Sequence, residues 1–383
     1  MKNITQYSNN DKRKQDKCGW WTYKNKRFIR FWYLNRRRVW SSKTKNITIK
    51  QKIPRTLHRQ NFRRQASHTW RRRCYHKHHR DLFEREKMSR QRKLSHPELI
   101  THLENKGVTF EKCSKGQAIN FIDKNNHYYK VSAFRKNFKK KDDKYQNLDF
   151  EYLKDLASID FQVRNLLLNI SINTEHFIKT ELCRQIDNNP HEDGYSIVKE
   201  FKDLEHGRYY DITWRKFKVS RYQKDMYLKR RDNVPYWALL EHMDYGCLMK
   251  FLEIYYEKYK PKSLKKAYEL GNNVRCIRNA CAHNNVFILN IFKDDNKLKN
   301  TTAAVTTLAA QTDLLKYKNY KKVNDLLSLF ALAKSYCSPA VFDYQKKDLN
   351  TFIERCKLHE QDYKKNPTLV KMFIIFQKII AIW

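Results

Sequence analysis

The chain has 383 residues, of which 40% are hydrophobic and 14% aromatic, so it is long enough to bury a large core and too apolar to stay largely disordered. Its 7 glycines and 7 prolines are too few for a turn-rich β architecture and favour helices. The formal net charge of +40 predicts a polyanionic partner, first of all nucleic acid, although a Lys-rich composition alone would account for part of the excess.

The first 87 residues form a basic, Trp- and Arg-rich extension. They carry 27 Lys and Arg against 5 Asp and Glu, hold five of the eight tryptophans, and show no sustained hydrophobic period. One hypothesis is an RNA-binding arm that orders on its ligand. Another is that translation starts at Met88, where an amphipathic pattern of residues begins, and that 1–87 is not natively translated. A metal site of Cys74, His76, His78 and His79 is a weaker alternative, because their spacing matches no standard zinc pattern.

Residues 88–149 are predicted to be an N-terminal helical region. Ser95 begins a helix that Gly107 ends, because a Ser N-cap and a glycine just beyond the last turn are typical helix boundaries. A short extended link at 108–110 and a second helix at 115–125 follow. After a compact aromatic segment, 136–144 is predicted to be a charged, solvated connector.

Residues 150–300 are predicted to form the helical core. Apolar residues recur every three or four positions from Phe150 to Ile186, which predicts one long helix. The polar stretch at 187–235 is predicted to be an irregular insertion with one or two short helices. Helices are expected after Pro235, at 248–259, at 264–270 and over the amphipathic segment 272–288.

The remaining residues, 301–383, are predicted to be helices that pack on this core. Helical patterns are expected at 300–316, 323–338, 349–363 and 372–382, and the last is interrupted by Gln377 and Lys378 as in a core helix. No apolar run approaches the roughly 18 residues that span a bilayer. Nine scattered cysteines without a Cys-x2-Cys pair favour reduced, mostly buried thiols and a cytoplasmic protein. The fold class expected is all-α.

The segment 272–288 contains the residues best suited to catalysis. Asn279 and His283 are four residues apart and share a helix face, whereas Arg278 lies about 140° round from His283 on an ideal helix. His can move a proton near neutral pH, and Arg can neutralise a phosphorane-like transition state. Phosphodiester cleavage of RNA therefore suits this pair, and two copies facing each other across a dimer could aim both groups at one phosphate. Alone, Arg-x4-His is a weak pattern, and on spacing alone an Arg in a surface ion pair with a satisfied helix-end histidine is favoured over a catalytic site.

Several stretches together resemble one family. Arg278-Asn279-Ala280-Cys281-Ala282-His283 resembles the Arg-Asn-x3-His signature of HEPN ribonucleases in its Abi-like (abortive-infection) form. Four further pieces agree in order: 122–132 with its Tyr128-Tyr129-Lys130, 160–167 with Glu175 downstream, 235–237, and 244–248. The resemblance covers about 95–290. It departs from the family at Val163, at Asn284-Asn285, where a basic residue is usual, and throughout 1–87.

The resemblance implies an all-α, HEPN-type helical bundle and a metal-independent endoribonuclease site, with no cofactor, formed in a homodimer. It also implies a role in phage defence by abortive infection or as a toxin, with RNA as substrate and a small structured RNA as a possible inhibitor. Arg278 would bind phosphate, His283 would act as acid and base, and Asn279 would orient either one. The supporting or RNA-binding residues expected are Asp160, Arg164, Glu175, Tyr128, Tyr129 and Lys130.

Three alternatives stay open on the sequence. Asp160 and Arg164, at i, i+4 spacing on a long helix, can equally be a buried ion pair without a site role. The chain can also be a catalytically inactive RNA-binding protein on the same scaffold, which the intact Arg278 and His283 disfavour. A DNA-binding regulator is compatible with the charge, but no helix-turn-helix signature is evident.

Overall fold

The computed structural model describes residues 92–293 and 297–382, and within them the fold is all-α, with only two-residue strands beside the helices. The predictions for 1–87 lie outside the described residues. The expected division at 149/150 and 300/301 stays a prediction.

The amino-terminal region is built of short elements whose starts are capped by serines. Ser95 and Glu98 form a capping box at the first helix, and Ser114 and Gln117 form a second one. Gly107 has φ +85° just after the first helix, as predicted from its position. Lys136–Lys144, expected to be an open connector, includes part of a small antiparallel hairpin. The elements are α1 (His96–Asn105), β1 (Val108–Thr109), α2 (Lys115–Lys124), α3 (Tyr128–Ala133), a 3-10 turn (Phe134–Asn137), β2 (Lys140–Lys141), β3 (Lys144–Tyr145) and β4 (Leu148–Asp149).

The predicted long helix is present as α4, Phe150–Asp187. Asp149 caps it, since its carboxylate accepts the N–H of Glu151 at 2.9 Å. The second oxygen of Asp149 accepts the hydroxyl of Thr109 and the N–H of Glu111, both at 2.8 Å, which ties the β1–β4 pair to the start of α4. The apolar face that predicted the helix is buried along its whole length.

The stretch 187–235 is more regular than predicted. It forms three helices, α5 (Ser196–Asp203), α6 (Arg208–Val219) and α7 (Lys224–Arg230). Its apolar residues are spaced for short helices, so no long period is visible in the sequence. Phe201 and Phe217 are fully buried, and Phe201 packs edge-on against Phe251 of the core.

The helices that follow complete the core. α10 (Lys265–Ala282) packs against α4 and α12 (Lys321–Tyr336), with which it makes its most extensive contacts, and α4 and α12 also contact each other. Between α10 and α12, the Asn273 amide donates to Asn324 Oδ1 and Ser328 Oγ, both at 3.0 Å, so the polar atoms inside this interface are paired. The elements are α8 (Tyr236–Glu241), α9 (Tyr245–Tyr259), a 3-10 turn (Lys262–Leu264), α10 (Lys265–Ala282), α11 (Ala303–Gln311), α12 (Lys321–Tyr336), α13 (Pro339–Lys357), α14 (Glu360–Tyr363) and α15 (Pro367–Ala381).

The last helix is a core helix, as predicted. α15 buries Leu369, Met372, Ile375, Phe376 and Ile379 against the preceding helices. None of the helices in 92–293 and 297–382 is long and apolar enough to cross a membrane. The cysteines in these residues are free thiols; four of the seven are buried and Cys276 is exposed.

Candidate active site at the end of α10

The predicted catalytic residues lie in and just after the last turn of α10. The N–H of His283 donates to the carbonyl of Asn279 at 3.0 Å, so His283 still belongs to the helical ladder. Asn279 and His283 are exposed, whereas Arg278 is only partly so. The exposed end of α10 therefore presents an amide and an imidazole to solvent, with a guanidinium beside them.

The helix ends earlier than predicted. The amphipathic pattern over 272–288 predicted a helix to Ile288, but α10 stops at Ala282 because Asn284 adopts a left-handed conformation, φ +55°. The N–H of Asn284 donates to Cys281 at 3.0 Å, and that of Asn285 donates to Ala280 at 2.9 Å. This is a Schellman closure with Asn in the position that glycine usually occupies.

Arg278 is loosely held. Its side chain is 27% exposed, its Nη2 lies 3.8 Å from Glu175 Oε2, and its Nη1 lies 3.4 Å from Asn279 Oδ1. Its Nε is buried with no hydrogen-bond partner among the described residues. A guanidinium with two long contacts and an unpaired Nε keeps most of its hydrogen-bonding capacity.

Glu175 lies between two cations of the same cluster. It contacts Lys179 of α4 at 3.3 Å and Arg278 of α10 at 3.8 Å. Tyr245 of α9 is buried beside this pair, and its hydroxyl has no partner in the described part of the chain. Burial, together with the negative charge of Glu175, holds the pKa of Tyr245 well above its usual range, against the opposing charge of Arg278. The cluster joins three helices around the guanidinium.

Asp160 and Arg164 form the buried pair that the sequence allowed, and both also contact the segment after His283. Arg164 Nε lies 2.7 Å from Asp160 Oδ2, and Arg164 Nη1 donates to Asn284 Oδ1 at 2.6 Å. The other oxygen of Asp160 accepts the N–H groups of Phe287 and Ile288, both at 2.7 Å. The pair therefore fixes the chain that leaves the catalytic motif.

Lys322 of α12 binds the same segment, and it was not predicted from the sequence. Its Nζ donates to the carbonyls of Phe287 at 2.7 Å and Leu289 at 2.6 Å. Burial lowers its pKa to about 8, with the nearby charge of Asp160 acting in the opposite direction. No local signal could have found Lys322, because its partners are backbone carbonyls more than thirty positions away in the chain.

The stretch 244–248 supports Arg278 and its neighbour Arg275. Asp244 caps α9 by accepting the N–H of Cys247 at 2.9 Å, which starts the helix with Tyr245 beneath the guanidinium. A Cβ on Gly246 would stand 3.3 Å from Oδ1 of Asp244, a tight contact, and in ordinary van der Waals contact with Arg275 at 3.7 Å.

Tyr128, Tyr129 and Lys130 lie on α3, apart from this cluster. Tyr129 is 79% exposed and stacks on His127 at 6.4 Å, while the partly buried Tyr128 has its pKa raised by burial. Within the described residues none of the three forms a hydrogen bond or ion pair with Arg278, Asn279 or His283. Their predicted contact with RNA stays a prediction.

Among residues 92–293 and 297–382, no group of three or more His, Cys, Asp or Glu side chains could hold a metal ion.

Comparison with known proteins finds one family. The model described as Abi-like protein matches residues 121–288, from the end of α2 to the segment that Asp160 and Lys322 hold. No curated protein and no solved structure matches the chain.

Proposed function

The chain belongs to the Abi-like family through residues 121–288, and we propose that it is an endoribonuclease of the abortive-infection type whose site is built on Arg278, Asn279 and His283. The family indicates a role in phage defence by abortive infection. The HEPN-type core, RNA cleavage and its metal independence belong to the proposal, and the all-α fold is compatible with it.

The state of Arg278 is the observation that carries the proposal. A partly buried guanidinium in a structural ion pair is normally held by short, paired hydrogen bonds. Arg278 instead has contacts of 3.4 and 3.8 Å and an unpaired Nε. Such a group can turn its Nη atoms to a phosphate, and Glu175 would keep the side chain oriented until substrate arrives.

The chemistry follows from the three side chains. The 2′-hydroxyl of the substrate loses its proton to a His283 imidazole, and the resulting oxygen attacks the adjacent phosphorus. Arg278 neutralises the charge that develops on the phosphoryl oxygens. The bond from phosphorus to the 5′-oxygen then breaks, and that oxygen receives a proton. The products are a 2′,3′-cyclic phosphate and a 5′-hydroxyl, and the step consumes neither water nor an oxidant.

Asn279 is proposed to orient the substrate. Its side chain is exposed, contacts Arg278, and lies one turn before His283. An amide there can donate to a phosphoryl oxygen while its carbonyl oxygen accepts from the guanidinium. Asp160 and Arg164 act through the segment 284–288 and are positioning residues.

The proposed site is shared between two copies of the chain. Arg278 is directed towards Glu175 on α4, whereas His283 lies about 140° round the helix and faces solvent. One copy therefore does not aim both groups at the same phosphate. A twofold homodimer would bring Arg278 of one copy to His283 of its partner, twice over. That a small structured RNA inhibits the proposed nuclease remains a prediction.

Cleavage by the full-length protein in excess chelator tests the activity. Wild type is expected to cut a mixed RNA pool, and His283→Ala and Arg278→Ala each to lose at least about 100-fold in rate, because general acid–base and charge-stabilising groups each contribute that much. His176→Ala, which removes an exposed histidine of α4, is the matched control and should cleave like wild type.

Two outcomes would contradict the proposal. Loss of cleavage in chelator, restored by a divalent metal, would overturn metal independence. Equal rates of RNA cleavage by wild type and His283→Ala would show that His283 is not catalytic and would contradict the proposed site. RNA binding by all variants without cleavage by any would favour the alternative, a catalytically inactive RNA-binding protein.

A further inference from the structure

The insertion between α4 and α8 carries a strongly basic surface that the proposed catalytic site does not use. The stretch 208–231, which contains α6 and α7, has nine Lys and Arg residues and two acidic residues, Asp211 and Asp225. A local excess of this size in so short a segment creates a positive field that attracts polyanions.

Most of these cations have no acidic partner. Arg208, Lys216 and Arg231 form ion pairs with acidic neighbours. Six others are exposed and form no ion pair within the described residues: Arg215, Lys218, Arg221, Lys224, Lys229 and Arg230. Their charge is balanced only by solvent ions, which phosphates would displace on binding.

Apolar and aromatic side chains stand exposed among these cations. Tyr222 is 96% exposed, in the loop between α6 and α7, and Trp237, on α8, is 42% exposed. Arg230 lies over the Trp237 ring at 5.3 Å, and Lys224 lies over Tyr227 at 5.0 Å. Bases stack on exposed aromatic rings such as those of Tyr222 and Trp237, and the neighbouring cations can bind the phosphates.

The surface is held on a rigid support. Phe217, fully buried, packs edge-on against Tyr227 at 5.4 Å, which fixes α6 and α7 to each other, and its ring is tilted against that of His242 at 4.3 Å. Lys216 donates to Asp244 at 2.7 Å. Asp244 caps α9, whose first residue is the Tyr245 that lies beside Arg278 and Glu175. The basic surface is thus tied to the helix that supports the candidate site.

We infer that the surface of Lys218, Arg221, Tyr222, Lys229 and Trp237, the α6–α7 surface, is a binding site for single-stranded RNA distinct from the Arg278–His283 site. The inference rests on the proposed function for its choice of RNA. Lysines and arginines would bind successive phosphates, and the two exposed rings would stack unpaired bases. A duplex keeps its bases inside and would leave both rings without a partner, so an unpaired strand fits this surface better.

Fluorescence anisotropy of a labelled, unstructured RNA of about 20 nucleotides measures the binding, with His283→Ala in the full chain as background so that the probe stays intact. Neutralising three cations (Lys218→Gln, Arg221→Gln and Lys229→Gln) should reduce the slope of log affinity against log salt by about 2, since each phosphate contact on a single strand contributes about 0.7. Tyr222→Ala should weaken binding about 5- to 150-fold, the range for one lost base stack.

Matched controls come from exposed residues of α13 and α15. Lys346→Gln, Lys347→Gln and Lys371→Gln together remove the same charge, and Tyr344→Ala removes a tyrosine that is 63% exposed. Both should bind RNA like the background protein. Tyr222 is almost wholly exposed, so its variant is expected to fold, and an unchanged far-ultraviolet circular dichroism spectrum checks this.

The outcomes separate this inference from the proposed function. An equal loss of RNA affinity in the α6–α7 and control variants, or an unchanged affinity in both, would overturn the proposed binding site even if wild type cleaves RNA. A loss confined to the α6–α7 variants would support it even if no cleavage occurs. Tighter, surface-dependent binding of duplex RNA or of single-stranded DNA of the same sequence would overturn the choice of an unpaired RNA strand.

Discussion

Asn284 shows how one residue can serve both the backbone and the site. Its left-handed φ of +55° ends α10, and its side-chain oxygen accepts from Arg164 at 2.6 Å. On the sequence it was a departure from the family pattern, because a basic residue is usual there. In this chain a cation at 284 would face the guanidinium of Arg164, which disfavours a basic residue at this position.

Arg164→Met tests whether the buried pair holds the motif. The substitution keeps a long side chain but leaves the carboxylate of Asp160 buried with only backbone partners, which typically costs about 3–5 kcal/mol in the free energy of unfolding. Urea unfolding measures the loss. The control Lys154→Met breaks a partly exposed pair with Glu151 and should cost less than about 1 kcal/mol.

A double variant separates the lost charge partner from the lost packing. Asp160→Asn combined with Arg164→Met removes the unpaired charge while its amide oxygen can still accept the N–H groups of Phe287 and Ile288. It should recover part of the stability lost in Arg164→Met. A single Arg164→Met variant as stable as Lys154→Met would contradict a structural role for the pair.

Helix α10 depends on a close approach to α9. A Cβ built on Gly271 would stand 2.0 Å from Sδ of Met249, which is itself buried. This glycine therefore serves packing, because a Cβ at this position would force the buried Met249 side chain to move within the core.

Gly271→Ala should lower the stability of the fold, whereas a glycine-to-alanine change in a helix usually raises it. In an open helix the change stabilises by roughly 0.5–1 kcal/mol, but here overpacking against Met249 should destabilise by about 1–3 kcal/mol. Gly116→Ala in α2 is the control, since nothing lies within 4 Å of its added Cβ. Thermal unfolding compares the two variants, and a stabilised Gly271→Ala protein would contradict the packing.

Long elements were predictable from the sequence and short ones less so. The period of apolar residues in 150–186 predicted α4 to within a residue, because one face of that helix is buried throughout. The end of α10 was predicted wrongly, since the closure at Asn284 depends on Arg164, 120 positions earlier. The helices α5 to α7 were underestimated because the aromatic residues that fix them meet only in the fold.

The stability of the whole fold should depend on pH through Asp325, whose carboxyl group is partly buried. Asp325 of α12 is partly buried near Lys321 and Lys322, and burial raises its pKa to about 7 against the opposing effect of both lysines. The folded chain therefore holds a proton on Asp325 between about pH 4 and 7, where the unfolded chain has released it.

This residue predicts a pH-dependent contribution to stability. A raised acid pKa stabilises the fold fully below about pH 4, and the contribution is lost as the pH rises through 7. Asp325→Asn cannot titrate, so its stability relative to wild type should grow over that window. Urea unfolding at several pH values measures the difference, and a difference independent of pH would contradict the assignment.

The candidate site was predictable from the sequence as a set of residues but not as an arrangement. The motif 278–283 identified Arg278, Asn279 and His283, and the helix spacing put Arg278 and His283 on different faces. The sequence could not predict the contact of Glu175 with Arg278 or the hydrogen bonds from Lys322 to the carbonyls of Phe287 and Leu289, because each joins residues distant in the chain.

Mixing two inactive variants tests the central claim, a site shared between Arg278 of one copy and His283 of its partner. Arg278→Ala and His283→Ala, unfolded together and refolded, should give half heterodimers, each with one intact site of two, and so recover about a quarter of the wild-type cleavage rate. Each variant refolded alone should stay inactive. Recovery near a quarter is the predicted result; a mixture that stays as inactive as its components, although heterodimers form, would contradict the shared site.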